Sequence, residues 1–231
     1  MDTGHTLKAF DEDLNELRAL ISEMGGLAEE AIRESMRALL QRDVDAAQKV
    51  VEADARLDQL EAEAETAVVR LIALRAPMAD DLREAVAALK IAGVVERIGD
   101  YAKNNAKRVK LLSDRGSIGP LSLLPEMARI AAEMVHNALD AFILRDAEKA
   151  QAVCLRDKSL DDFYNSIFRA LLTFMMEDPQ NITPSAHLLF VAKNLERIGD
   201  HATNIAEMVY YAATGARLTE RPKGHNPADS E

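Results

Sequence analysis

Tryptophan is missing from this chain altogether, aromatic residues make up only 4% of it, and there is a single cysteine. Few aromatics and only seven prolines in 231 residues weigh against a strand-rich fold, since strands favour aromatic and β-branched side chains. The lone Cys154 closes no intramolecular disulfide, fits a reducing compartment, and reads as a small apolar helix residue. Positive charge is scarce as well: 28 Lys and Arg stand against 39 Asp and Glu, for a net charge of −11 and a pI near 5.0. Nothing supplies the basic stripe that neutralises phosphates, so nucleic acid and anionic membrane surfaces are not expected as partners. No apolar run approaches the roughly 20 residues that span a bilayer. The opening MDTGHTLKAFDEDL also lacks the charged segment and apolar core of a secretory signal. A cytoplasmic protein without direct membrane insertion is the expectation.

What is present is helix-forming sequence, 48% apolar and 29% charged and rich in Ala, Leu, Glu, Arg and Met. Phe10, Leu14, Leu17, Ile21, Met24, Ala28 and Ala31 recur at alternating intervals of four and three, the seam of a helix over about residues 7–41. Val50, Leu57, Leu60, Ala64, Val68 and Leu71 share one face of a second helix that ends near Leu74, ahead of Pro77. A third runs from about Ala79 to Leu112, and SDRGSIGP then breaks the pattern. The same order returns as Glu126–Leu144, Ala147 to about Met176, and Ser185–Ala213, with EDPQNITP between the last two. Phe168, Phe174, Met175 and Met176, at helical spacing, read as core.

The halves are copies. At an offset of 103, Met24 aligns with Met127, Ala28 with Ala131, and Arg42-Asp43 with Arg145-Asp146. Asp54, Leu57 and Asp58 align with Asp157, Leu160 and Asp161. ERIGDYAKN at 96–104 and ERIGDHATN at 196–204 match at an offset of 100, which places a length change in the second hairpin turn, where loops tolerate it. An all-α fold of six long helices in two tandem three-helix bundles follows. The expected units are residues 1–115 and 116–215, with a polar, proline-containing tail over 216–231 reading as disordered.

Residues four apart share a helix face, so Glu96 and Asp100, Glu196 and Asp200, Asp54 and Asp58, and Asp157 and Asp161 form four acid pairs at equivalent places. Antiparallel helices joined by a short turn bring residues equidistant from that turn together. The first two cross-helix pairs are centred on Pro77 and the other two between Asp178 and Pro179, so each pair lies level with its partner. Crowded carboxylates need protons, solvent, basic partners or bound cations. Oxygen donors suit hard ions such as Mg²⁺, Mn²⁺, Ca²⁺ or Fe³⁺, and no Cys or His cluster of the zinc type exists. Asn104 and Asn204, one turn on, and Arg97 and Arg197 are candidate supporting residues. The plain alternative is a solvated face salt-bridged to Arg97, Arg197 and nearby lysines. Gly99 and Gly199, at mid-helix, read as close-packing positions, and His201 as a packing or surface histidine.

LERIGDHATNIAEMVYY, preceded by VVERIGDYAKNNAKRV in a duplicated six-helix chain, resembles the PhoU family of phosphate-signalling regulators over about residues 7–213. The resemblance implies negative regulation of the phosphate-starvation response. It implies contact with a PhoR-type sensor histidine kinase and the PstB-type ATPase of the Pst phosphate importer, peripheral to the inner membrane through those partners. It also implies a homodimer with metal ions at the acidic motifs, Mg, Mn, Fe or Zn, held by Asp54, Asp58, Glu96, Asp100, Asp157, Asp161, Glu196 and Asp200. Tyr101 stands where the second half has His201, and Asn105 where it has Ile205, departures that would set the halves apart in affinity or partner contact. The rival reading is a carboxylate-bridged metalloenzyme, a phosphohydrolase or a ferritin-like protein. Glu133 and His136 match the ferritin-like Glu-x-x-His once, without a counterpart at Glu30 and Arg33, and no acid, base or nucleophile set accompanies them. A non-enzymatic adaptor is the expectation.

Overall fold

The structure is a computed structural model that describes residues 3–113 and 119–218. The expected unit boundary at 115–116, and the expected tail from 219 on, lie outside the described residues. Six helices follow in order: α1 (Thr3–Gln41), α2 (Val44–Arg75), α3 (Asp80–Leu112), α4 (Leu124–Leu144), α5 (Ala147–Glu177) and α6 (Ile182–Thr214). α1–α3 pack together as one three-helix bundle and α4–α6 as another, while α3 lies on α6 and α1 on α4. One continuous apolar core therefore runs through both bundles. The seam residues of α1 lie within it: Leu17, Ile21, Met24 and Ala28 are fully buried.

Local chemistry sets the ends of these helices. The repeated Arg-Asp dipeptide is a helix-to-helix turn in both halves: Arg42 and Arg145 take left-handed backbone conformations, φ 56° and 54°. Asp43 and Asp146 then cap the following helix, accepting from the Ala46 and Lys149 N–H groups at 2.8 and 2.9 Å. α6 begins ahead of the expected Ser185, because Pro184 sits in its first turn, where a missing N–H costs no hydrogen bond.

The expectation that Phe168, Phe174, Met175 and Met176 belong to the core holds for Phe174, which packs against it, and fails for Phe168 and Met176. Met176 is 87% exposed and Phe168 38%, and the other two are half-buried. α5 has 31 residues and its hairpin partner α4 only 21, so the last turns of α5 outrun the helix that would cover them.

α3 and α6 cross antiparallel. Tyr101 stacks on His201, Asn194 donates to Asn105 at 2.8 Å, and Arg108 lies over Phe190, so rising numbers on α3 meet falling numbers on α6. Glu84 ties this arrangement to the rest. Its carboxylate is 2% exposed and takes Arg18 from α1 on one oxygen and Arg145, at the α4–α5 turn, on the other at 3.2 Å. A buried acid held by two guanidinium groups carries its own compensation.

Candidate functional site

Glycine sets the distance between the helices that carry the acids. A Cβ on Gly99 would stand 2.2 Å from Leu57 Cδ2 and 3.6 Å from Asp54 Oδ1. At Gly199 the corresponding values are 2.2 Å to Leu160 Cδ2 and 3.7 Å to Asp157 Oδ1. The glycines let α3 and α6 press against α2 and α5 at the level of the first aspartate of each row, which is the packing role expected of them. Gly93 faces Glu61, and Lys193 lies over the Tyr164 ring at 5.3 Å; both pairs are equidistant from their own turns. Asp54, Asp58, Glu96 and Asp100 accordingly share one level of the first bundle, Asp157, Asp161, Glu196 and Asp200 one level of the second.

In the first bundle a cation is already present. The Lys103 ammonium, on α3, bonds both Asp100 and, across the helix pair, Asp54. Asp54 is only 8% exposed and Asp100 43%, so this ammonium bridges a shielded acid and a solvated one. Burial works against the charged Lys103, yet its hydrogen bonds to Asp100 and Asp54 carry its pKa above the usual lysine value. Glu96 is pushed up to about 7, by burial first and then by Asp100, Glu61, Asp58 and Asp54. Glu61 is raised too, by burial and by Glu65 and Asp58. Glu61 is thus a fifth carboxylate of this cluster.

The second bundle solves the same crowding differently. Tyr164 stands where the first half has Glu61, Lys193 where it has Gly93, and Thr203 where it has Lys103. Lys193 donates to Glu196 at 2.6 Å. Burial still raises the Glu196 pKa against that bond, and its Oε2 is buried without a hydrogen-bond partner. Among the described residues no three carboxylate, imidazole or thiolate groups converge as a ready-made metal cage. The chemistry nevertheless suits a cation. An ammonium stands between two acids in one bundle, and in the other a Glu196 carboxylate oxygen is buried without a hydrogen-bond partner.

The supporting residues divide. Arg97 and Arg197 are exposed and make no salt bridge among the described residues, and Asn104 is exposed, so none of the three holds a carboxylate in place. Asn204 turns to His201, its Nδ2 3.5 Å from the ring Nδ1. Tyr101 and His201, two unlike residues at equivalent places, stack on each other with centroids 5.5 Å apart and planes at 22°. Asn105 likewise finds its partner inside the molecule, in Asn194. These departures from the repeat therefore serve the α3–α6 seam. Glu133 and His136 belong to neither acid row: Glu133 pairs with Arg129, and His136 lies between Glu29 at 3.1 Å and Asp140 at 3.6 Å. The sequence pattern missed Glu61, Lys103 and Lys193. The signal was there as charge changes at repeat-equivalent positions, Glu61 to Tyr164, Gly93 to Lys193 and Lys103 to Thr203.

Fold and site together define a class: a duplicated six-helix protein whose second and third helices carry matched carboxylate rows in each half. The PhoU domain family model matches residues 21–109 and 124–209, and the chain belongs to the PhoU family. It is 54% identical over 230 residues, 100% of this chain and 97% of the relative, to the phosphate-specific transport system accessory protein PhoU homolog of Zymomonas mobilis. The Rhizobium meliloti protein of the same name is 48% identical, covering 99% of this chain and 95% of its own. Crystal structures agree. PhoU from Pseudomonas aeruginosa superposes with a TM-score of 0.86 at 37% identity, covering 90% of this chain and all of that one. The phosphate transport system regulatory protein PhoU from Streptococcus pneumoniae gives 0.84 at 27% identity, with 91% and 100% covered. The relatives are named as accessory and regulatory proteins and not as enzymes, in keeping with the non-enzymatic reading. No described helix is long and apolar enough to cross a membrane.

Proposed function

We propose that this chain is an accessory protein of phosphate-specific transport that restrains the phosphate-starvation response when phosphate is plentiful. The observation that supports this reading is identity of 54% along the whole chain to a protein named as a phosphate-specific transport system accessory protein. It acts as a cytoplasmic, homodimeric adaptor whose partners are a sensor histidine kinase of the PhoR type and the PstB-type ATPase of the importer.

The carboxylate rows are the proposed metal sites: Asp54, Asp58, Glu96 and Asp100 in one bundle, and Asp157, Asp161, Glu196 and Asp200 in the other. A bound ion would supply positive charge that offsets repulsion among acids and so favours the folded helices. Lys103 and the unpartnered Glu196 oxygen support this reading.

Deleting the gene and following a phosphate-starvation reporter in high phosphate tests the regulatory role. The reporter should rise, and unchanged reporter and uptake would contradict the proposal. Metal analysis after mild chelation, followed by titration with Mg²⁺, Mn²⁺, iron and Zn²⁺, tests the sites. Absence of stoichiometric binding by any of the four would remove them.

A further inference from the structure

Two arginines sit apart from the ion pairing that occupies much of this acidic surface. Arg197 lies over the Tyr101 ring, 5.7 Å from its centroid, and Tyr101 stacks on His201. Arg97 faces the same stack from the other half, its charge falling on His201 and on Glu61. Neither makes a salt bridge among the described residues, in a chain that carries 39 acids. A guanidinium resting over an aromatic ring keeps its in-plane N–H groups free for a planar or tetrahedral oxyanion. A cavity of about 330 Å³ opens at the α3–α6 seam beside this stack, lined by Tyr101, Arg197, Asp200, His201 and Asn204, with Arg97 outside its lining.

One wall residue has the opposite sign. Asp200 would repel a fully deprotonated oxyanion but would accept a hydrogen bond from one that still carries a proton. Inorganic phosphate keeps a P–OH near neutral pH, whereas sulfate has no hydroxyl. We propose that this seam cavity is a binding site for inorganic phosphate, with Arg197 and Arg97 holding the anionic oxygens, Asn204 donating, and Asp200 accepting from the P–OH. The site joins the two halves, since Tyr101 and Arg97 come from α3 and the remaining groups from α6. It does not depend on the metal reading, although Asp200 belongs to both.

The test is calorimetric titration of the full chain, stripped with a chelator, with inorganic phosphate and with sulfate at matched ionic strength. Phosphate should bind saturably and at least about tenfold more tightly than sulfate, the value of one hydrogen bond to a charged group. Arg197→Gln should weaken phosphate about tenfold, and Arg97→Gln, a second variant, should weaken it in the same direction. Asp200→Asn should bring phosphate and sulfate closer together by removing both the acceptor and the repulsion. Equal affinity for the two anions, or Arg197→Gln and Arg97→Gln both at parental phosphate affinity, would overturn the proposal. Phosphate binding seen only when a divalent metal is restored would overturn it too, assigning the phosphate to the metal clusters and leaving the metal reading intact.

Discussion

Lys103→Met is the most telling perturbation of the first cluster, because it removes the ammonium and keeps most of the aliphatic stem. The parent ammonium is 20% exposed and bridges Asp54, 8% exposed, to Asp100, 43% exposed. Removing one partner of a buried ion pair costs about 3–5 kcal/mol, whereas an exposed pair contributes about 1 kcal/mol or less. With one arm shielded and the other in solvent, the expected loss is about 2 kcal/mol. For a chain of this length that lowers Tm by about 4–8 °C. Asp54, Asp58, Glu96 and Asp100 are then left without their resident cation, and a divalent ion should take its place. At about 100 times its dissociation constant such an ion returns roughly 2.7 kcal/mol, enough to cancel the deficit. Scanning calorimetry of parent and variant, in chelator and across a Mg²⁺ or Mn²⁺ series, reads both effects. A variant as stable as its parent in chelator would show that the ammonium does not hold the cluster together. A deficit that persists undiminished at millimolar metal would show that no ion replaces it.

Two further outcomes follow from the same geometry. Glu96 is pushed up to about 7 in the folded chain from an ordinary value of 4.5, so folding takes up its proton more tightly. Its contribution is therefore favourable below pH 4.5 and is lost as the pH rises from there through about 7. Glu96→Gln should stabilise the protein above pH 7 by about 1 kcal/mol, discounted for the group's exposure, and leave it unchanged near pH 4; urea unfolding that shows the same effect at both pH values would refute the assignment. Gly99→Ala and Gly199→Ala should differ, although each gains about 1 kcal/mol of helix preference against about 1–3 kcal/mol of overpacking. Leu57 borders an open groove of about 580 Å³ and can rotate away, while Leu160 is fully buried. Near-neutrality at Gly99 and a loss of about 1–2 kcal/mol at Gly199 are expected in denaturant unfolding, and the reverse order would contradict it.

Helix order, duplication and the level of the acid rows were legible in the residue order, because they rest on local intervals. A seam repeating every three or four residues specifies a helix face, and Pro77 and Pro179 mark turns from which register can be counted. Helix ends were legible where a capping side chain marks them, as at Asp43 and Asp146, and less so at Pro184, which begins a helix as readily as it precedes one.

What the tertiary structure alone decided is how each carboxylate is compensated. Lys103 lies one turn beyond Asp100 in sequence, but its bond to Asp54 exists only because Gly99 and Leu57 let α3 and α2 approach so closely. The stack of Tyr101 on His201, the free arginines beside it, and the exposure of Met176 depend likewise on where α3 meets α6 and where α4 stops. Periodicity states which residues share a face. Charge compensation and burial depend on the distance to a neighbouring helix, which no interval along one helix encodes.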